Sequence, residues 1–144
     1  MWEAVKEARK VLPLEEVPIG AIIEYEGRII GRAHNQVEKL KDATAHAEIL
    51  AITQASAYLS DWRLKGCSLF VTVEPCLMCT GAIRLSRLTH VYFGAYSPEE
   101  GALLSAHSFL TNGAKSKLPF KAEGGILKEE CASLVKDFFL RLRK

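Results

Sequence analysis

Two short segments set the strongest limit on how this chain can fold: Thr44-Ala45-His46-Ala47-Glu48 and Glu74-Pro75-Cys76-Leu77-Met78-Cys79. Imidazole nitrogen and cysteine sulfur are the ligands of tetrahedral zinc, and a catalytic zinc site takes three protein ligands and leaves the fourth position to water. His46, Cys76 and Cys79 supply that set. Holding one ion requires a fold that brings the starts of two helices together. Cys76 and Cys79 stand three apart at an expected helix start, so their sulfurs can converge. The positive end of that helix favours both as thiolates. In a redox C-x-x-C pair each thiol is the other's partner, and no imidazole is required.

Glu48 is not needed as a ligand. A carboxylate beside the open position can take a proton and deliver it to a ring nitrogen and a leaving amine. An H-x-E segment followed by P-C-x-x-C is the known signature of zinc nucleobase deaminases. Either half alone is weak, and the two in this order are specific.

The surrounding pattern supplies elements on which to place these residues. Trp2, Val5, Ala8, Val11 and Leu12 recur at helical spacing, which predicts an amphipathic helix ended by Pro13. Ile19 to Tyr25 and Arg28 to Ala33 are β-rich and flank Glu26-Gly27, a hairpin signal. Thr44 can cap a helix that has His46 in its first turn and runs to about Tyr58. Cys67 to Val73 reads as a buried strand, Cys76 to about Ser86 as a helix, and His90 to Ala95 as another strand. Pro98 can start a further helix with Ser97 as its cap, Asn112-Gly113 marks a turn, and Phe120 falls in a short strand. Lys128 to Leu142 is an amphipathic helix. A hairpin followed by alternating helix and strand implies an α/β chain with helices on both faces of one sheet.

Length and composition agree with a single domain over residues 1–144. At this size roughly two-thirds of the unfolded surface can be buried. The 49% hydrophobic and 25% charged fractions are those of an ordinary globular chain. A net charge of only +2 gives no global field towards nucleic acid, though a local basic patch remains open. Cys67 and Cys131 sit on apolar faces and read as core, His90 and His107 read as structural or solvated, and His34, directly before Asn35, reads as packing with a place lining the site as the alternative. Met1 to Pro18 is charged throughout without an apolar h-region, so a secretory leader is not expected, and the cytoplasm is the expected compartment.

Beyond the metal motifs, the chain resembles the bacterial tRNA-specific adenosine deaminases of the cytidine deaminase-like superfamily. The resemblance is carried by Val17-Pro18-Ile19-Gly20-Ala21, Asn35, Asp42 to Ile49, Thr72 to Cys79, Gly81-Ala82-Ile83, Phe93-Gly94-Ala95, Gly101-Ala102 and the segment from Gly125 to Phe139. It implies a three-layer α/β/α fold with a five-stranded mixed sheet, one zinc per subunit and a homodimer. It also implies conversion of adenosine to inosine at the wobble position of a tRNA anticodon. His46, Cys76 and Cys79 match the zinc ligands and Glu48 the proton shuttle. Asn35 and the backbone of Ala47 match contacts to the base, and Ser97 stands where relatives commonly have Asp near the ribose. Phe138, Phe139 and the cluster Arg141, Arg143 and Lys144 match a C-terminal helix that contacts the tRNA anticodon stem-loop. Taken alone, the residues slightly favour Asn35 as a turn residue and equally fit the two Phe as core.

Ser97 and the stretch Thr111 to Leu118, which lacks the Asn-His-Arg of many relatives, depart from the pattern. These departures bear on RNA selectivity and spare the chemistry. Two other functions stay open at this level. One is a deaminase of free guanine or cytosine with the same zinc centre. The other is a tRNA-binding paralogue without catalysis, against which Glu48 argues.

Overall fold

The computed structural model describes residues 1–105 and 118–143. Its centre is a five-stranded sheet in the order β2-β1-β3-β4-β5. β1 (Gly20–Tyr25) and β2 (Arg28–His34) form the expected hairpin. At its turn Glu26 and Gly27 both have positive φ, 50° and 80°, the combination that a right-twisted two-residue hairpin requires. β1 also pairs antiparallel with β3 (Ser68–Val73), and β3 runs parallel to β4 (His90–Ala95). β5 (Lys121–Glu123) adds a short parallel edge directly after Phe120 rather than including it. The sheet is therefore mixed, as expected.

Alternation along these strands divides the core in two. α1 (Trp2–Arg9) and α5 (Lys128–Leu142) cover one face. Val5, Ala8, Ala95, Cys131 and Leu134 form the core there. α3 (Ala47–Leu59) and α4 (Leu77–Leu85) belong to the other face, where Ala51, Ala55, Ile83, Ile23, Val71, Val91 and Phe93 are buried together. Full burial of a side chain such as Phe93 contributes about 1.5–3 kcal/mol. Gly94 lets α5 approach β4: a Cβ there would lie 2.3 Å from Cys131 Sγ. Cys67 and Cys131 are core residues as read, and His34 packs towards α1, its Nδ1 3.1 Å from Glu7 Oε2. His90 stacks on Tyr92.

Four local expectations are corrected. α1 ends at Arg9, and residues 10–15 continue as turns rather than as helix up to Pro13. A four-residue helix α2 (Val37–Leu40), absent from the periodicity, follows β2. Thr44 does not cap α3: its N–H and hydroxyl both donate to Asp42, and His46 is the N-cap residue. No helix starts at Pro98, so Ser97 caps none; residues 98–100 are a turn in which the Gly101 N–H donates to the Ser97 carbonyl. His107, the Asn112-Gly113 turn, the rest of residues 111–117 and Lys144 lie outside the described residues. Among the described residues no helix is long and apolar enough to cross a membrane.

Candidate active site

The N-terminal ends of α3 and α4 meet at one spot. His46 is the N-cap residue of α3, Cys76 is that of α4, and Cys79 lies in the first turn of α4. His46 Nδ1 is 3.7 Å from Cys76 Sγ and 3.5 Å from Cys79 Sγ. Zinc–nitrogen and zinc–sulfur bonds of about 2.05 and 2.3 Å at a tetrahedral angle require an N···S edge of about 3.6 Å. The imidazole nitrogen therefore already stands from both sulfurs at the separation that one zinc ion needs, and all three donor atoms lie within 4.8 Å of one another. Among the described residues this is the one cluster of three His, Cys, Asp or Glu side chains arranged to hold a metal.

The charges at this spot are shared. The Cys76 thiol is held down to about 4, first by a hydrogen bond from Cys79 and then by His46. Cys79 is pushed up by the same bond and by burial. His46 is raised, chiefly by its hydrogen bond to Cys76. Two residues on from His46, Glu48 is 4% exposed, and burial pushes its carboxyl up to about 7, with the neighbouring Cys76 charge acting in the same direction. A carboxyl poised near neutrality can both take and give a proton.

A cavity of about 380 Å³ opens beside this cluster and is lined by His46, Asn35, Ile19, Val37, Phe138 and Phe139, with Glu15, Glu16 and Glu38. The structure thus brings Asn35 and both Phe side chains to a cavity that His46 also lines. Asn35 is buried, and its own N–H donates to the Ile19 carbonyl, 3.0 Å. Phe138 is 6% exposed and Phe139 45% exposed, the two rings meeting edge to face at 5.2 Å. Phe138 therefore has both core and pocket character, and Phe139 is open. Ala47 is buried at the first position of α3, where a backbone N–H has no partner within its helix.

Ser97 is not in this cavity. It lines an adjoining one of about 530 Å³, with Tyr96, Glu99, Glu100, Lys136 and Phe139. Phe139 borders both. Acidic side chains around the first cavity disfavour phosphate there, whereas Lys136 and the exposed end of α5 with Arg141 and Arg143 are the basic features nearby.

Glu74, read from sequence only as the end of a strand, is the residue that shapes the second cavity. It is buried beside Pro75 and Cys76, and its Oε2 accepts the N–H groups of Leu103, Leu104 and Ser105 at 3.2, 2.7 and 2.9 Å. Its Oε1 accepts the N–H of Ser97, 3.2 Å, and the hydroxyl of Ser105. Burial alone would raise this carboxyl, and these donors hold it below the ordinary value. The segment that carries Cys76 thereby also fixes the loop that carries Ser97. A Glu before Pro-Cys hints at an anchor, but nothing in the sequence names its partners.

Comparison with known proteins gives the site its family. Residues 1–95 match the family model described as the cytidine and deoxycytidylate deaminase zinc-binding region. Over 144 residues the chain is 43% identical to the tRNA-specific adenosine deaminase of Streptococcus pyogenes serotype M1, covering 100% of this chain and 84% of that protein. It is 44% identical over 146 positions to the tRNA-specific adenosine deaminase of Bacillus subtilis (strain 168), covering 100% of this chain and 89% of the relative. A structure solved in a study of A-to-I editing by tRNA:A34 deaminases superimposes with a TM-score of 0.87 at 39% identity, covering 93% of this chain and 96% of the other. With its donor set at zinc spacing and these relatives matched along its whole length, the chain belongs to the tRNA-specific adenosine deaminases of the cytidine and deoxycytidylate deaminase zinc-binding family.

Proposed function

We propose that this chain hydrolytically deaminates adenosine to inosine at the wobble position of a tRNA anticodon, consuming water and releasing ammonia. The observation that carries this reading is the cluster of His46, Cys76 and Cys79 at zinc-binding separations, with buried Glu48 beside it. It lies in a chain whose full-length relatives are named for that substrate. His46, Cys76 and Cys79 hold the zinc. When bound, zinc supplies Lewis acidity that lowers the pKa of water towards about 7.

The remaining work falls to the protein. Glu48 takes a proton from the attacking water and passes it to N1 of the adenine ring; it then takes the remaining proton of the hydroxyl added at C6 and gives it to the amine, which departs as ammonia as the C6 carbonyl forms. Asn35 and the N–H of Ala47 hydrogen-bond the base, and Phe138 and Phe139 wall the pocket against which its face stacks. Ser97 faces the ribose side. Arg141 and Arg143 approach the phosphates of the anticodon stem-loop.

A homodimer is part of the proposal. α4 turns Leu77, Met78 and Leu85 outward, the last 64% exposed, and a Cβ at Gly81 on the same helix would meet nothing within 4 Å. An apolar helix face of this kind suits a second copy of the chain. The cytoplasm, where tRNA is found, is the proposed compartment.

Incubation of the purified protein with total bacterial tRNA, followed by mapping of adenosine-to-inosine changes, tests the reading. Inosine at the wobble position is expected. Ammonia released from free guanine or cytosine, with tRNA left unchanged, would assign the same zinc centre to a free-base deaminase instead.

A further inference from the structure

The wall of the pocket beside His46 contains a buried acid that the proposed reaction does not use. Glu16 lies in the irregular segment between α1 and β1 and is 3% exposed. Its Oε1 accepts the backbone N–H of Lys39 in α2, 2.7 Å, and its Oε2 accepts from Nδ2 of Asn35, 3.2 Å. Among the described residues these are its only hydrogen bonds. A carboxylate taken out of water is costly unless its oxygens are satisfied. The usual partner is a cation, and here it is a side-chain amide on the pocket wall.

That arrangement decides which way the Asn35 amide faces. Carboxylate oxygens accept, so Nδ2 and not Oδ1 has to meet Glu16; a reversed amide would set oxygen against oxygen. The bond to Lys39 holds the carboxylate from its other side, and the Asn35 backbone is itself tied to Ile19. Nδ2 carries two hydrogens, of which Glu16 takes one. One N–H and the carbonyl oxygen remain for whatever enters the cavity that Asn35 shares with His46. A donor beside an acceptor is the pair that an Asn side chain offers to N7 and the 6-amino group of adenine. Guanine shows two acceptors on that edge, O6 and N7, and mismatches it.

We infer that Glu16 is a positioning residue that orients the Asn35 amide so that the pocket reads N7 and the 6-amino group of the target adenine. The inference rests on the function proposed above and adds to it a source of base selectivity. The alternative is that Glu16 only tethers α2.

The test uses the zinc-loaded protein and an anticodon stem-loop RNA with adenosine or 7-deazaadenosine at the wobble position, followed in single turnover. Loss of the N7 acceptor should slow the wild-type enzyme by about ten-fold, half of a bidentate contact. Glu16→Gln still accepts from Lys39 but offers its own N–H to Asn35, which turns the amide around. This variant should be about ten-fold slower on adenosine, a loss within the range of one misplaced base contact. It should show almost no further loss on 7-deazaadenosine, with unchanged zinc content and RNA affinity. Glu16→Gln that keeps the wild-type rate, or that slows while retaining the whole N7 penalty, would leave Glu16 a tether and overturn the inference. So would a wild-type enzyme indifferent to N7. NMR of the ¹⁵N-labelled protein without RNA gives a second reading that does not depend on turnover. One of the two Asn35 side-chain amide protons should be shifted downfield by the charged acceptor and return towards its ordinary position in Glu16→Gln, and a pair at ordinary free-amide shifts in the parent would refute the contact. A wild-type protein that leaves the adenosine loop unchanged would contradict the functional reading, and the amide signals would still judge the link between Glu16 and Asn35.

Discussion

His46 and Cys76 hold the same position on two different helices. Each is an N-cap residue with extended backbone, at φ −75°, ψ 152° and φ −73°, ψ 178° respectively. Each carbonyl accepts an early bond of its helix, from Leu50 N–H at 3.1 Å and from Thr80 N–H at 2.9 Å. Neither side chain caps its own helix. Their side chains instead turn towards each other, 3.7 Å apart, where the positive ends of two helices favour negative charge.

One zinc per chain is therefore expected, and Cys76→Ala and Cys79→Ala should each lose nearly all of it. Metal binding to the native state is linked to folding, and saturation at a hundred times Kd contributes about 3 kcal/mol. Each variant should accordingly melt earlier than the zinc-loaded parent by a margin of that order. Metal analysis and thermal unfolding of the same preparations check both parts. Full zinc retention would remove the assignment of the ligands.

The loop after β4 yields a prediction about substrate sugar. Ser97 caps no helix, its N–H is held by Glu74, and it lines a cavity with Lys136 and Phe139. An Asp there would add charge and a stronger acceptor for a 2′-hydroxyl, the group that separates RNA from DNA. Ser97→Asp should raise the ratio of deamination rates on matched RNA and DNA hairpins. An unchanged ratio would show that Ser97 takes no part in sugar selection.

The packing of α5 on β4 leaves no room at Gly94. A methyl group would meet Cys131 Sγ at 2.3 Å, its Cβ at 2.7 Å and the Thr72 carbonyl at 2.8 Å. Overpacking of this kind costs about 1–3 kcal/mol. Gly94→Ala should lower the unfolding free energy by that amount and disturb α5, which carries Phe138 and Phe139. Wild-type stability in Gly94→Ala would contradict the close approach.

Glu7 gives a pH dependence with a definite sign. It is buried on α1, with Lys10, Arg32 and His34 around its carboxylate. Burial alone would raise its pKa, but hydrogen bonds with Lys10 and His34 bring it below the ordinary 4.5. The folded state thus binds this proton less readily than the unfolded state. The stabilisation is complete above the unfolded value and disappears as pH falls through the folded one. The stability gap between the parent and Glu7→Gln should be constant near neutrality and shrink in acid below about pH 4.5. A gap that widens in acid would reverse the sign.

The metal centre was legible in the sequence because its chemistry depends on residue type and spacing: only His, Cys and a carboxylate suit it, and two helix starts hold them. The sheet was legible for a similar reason, since β-rich runs such as Ile19 to Tyr25 and the Glu26-Gly27 turn are local signals. Glu74 and Glu16 were not. Their partners are backbone N–H groups, one hydroxyl and one amide far along the chain, and a carboxylate that satisfies a distant loop carries no periodicity. The same physics explains the misplaced cap. Thr44 has the composition of an N-cap, but Asp42 takes both of its donors, and the helix begins later, at the residue whose side chain is committed to the metal cluster.

The central claim is that Glu48 moves protons at a site held by His46, Cys76 and Cys79. The most direct measurement is single-turnover inosine formation in an anticodon stem-loop by the parent and by Glu48→Ala, with zinc counted in both. Loss of a general acid–base removes about 10²–10⁴ in rate. The account predicts a loss of at least that order in Glu48→Ala with zinc content and fold unchanged. A Glu48→Ala protein that still forms inosine at the parent's rate, or one that loses its zinc as Cys76→Ala does, would contradict it.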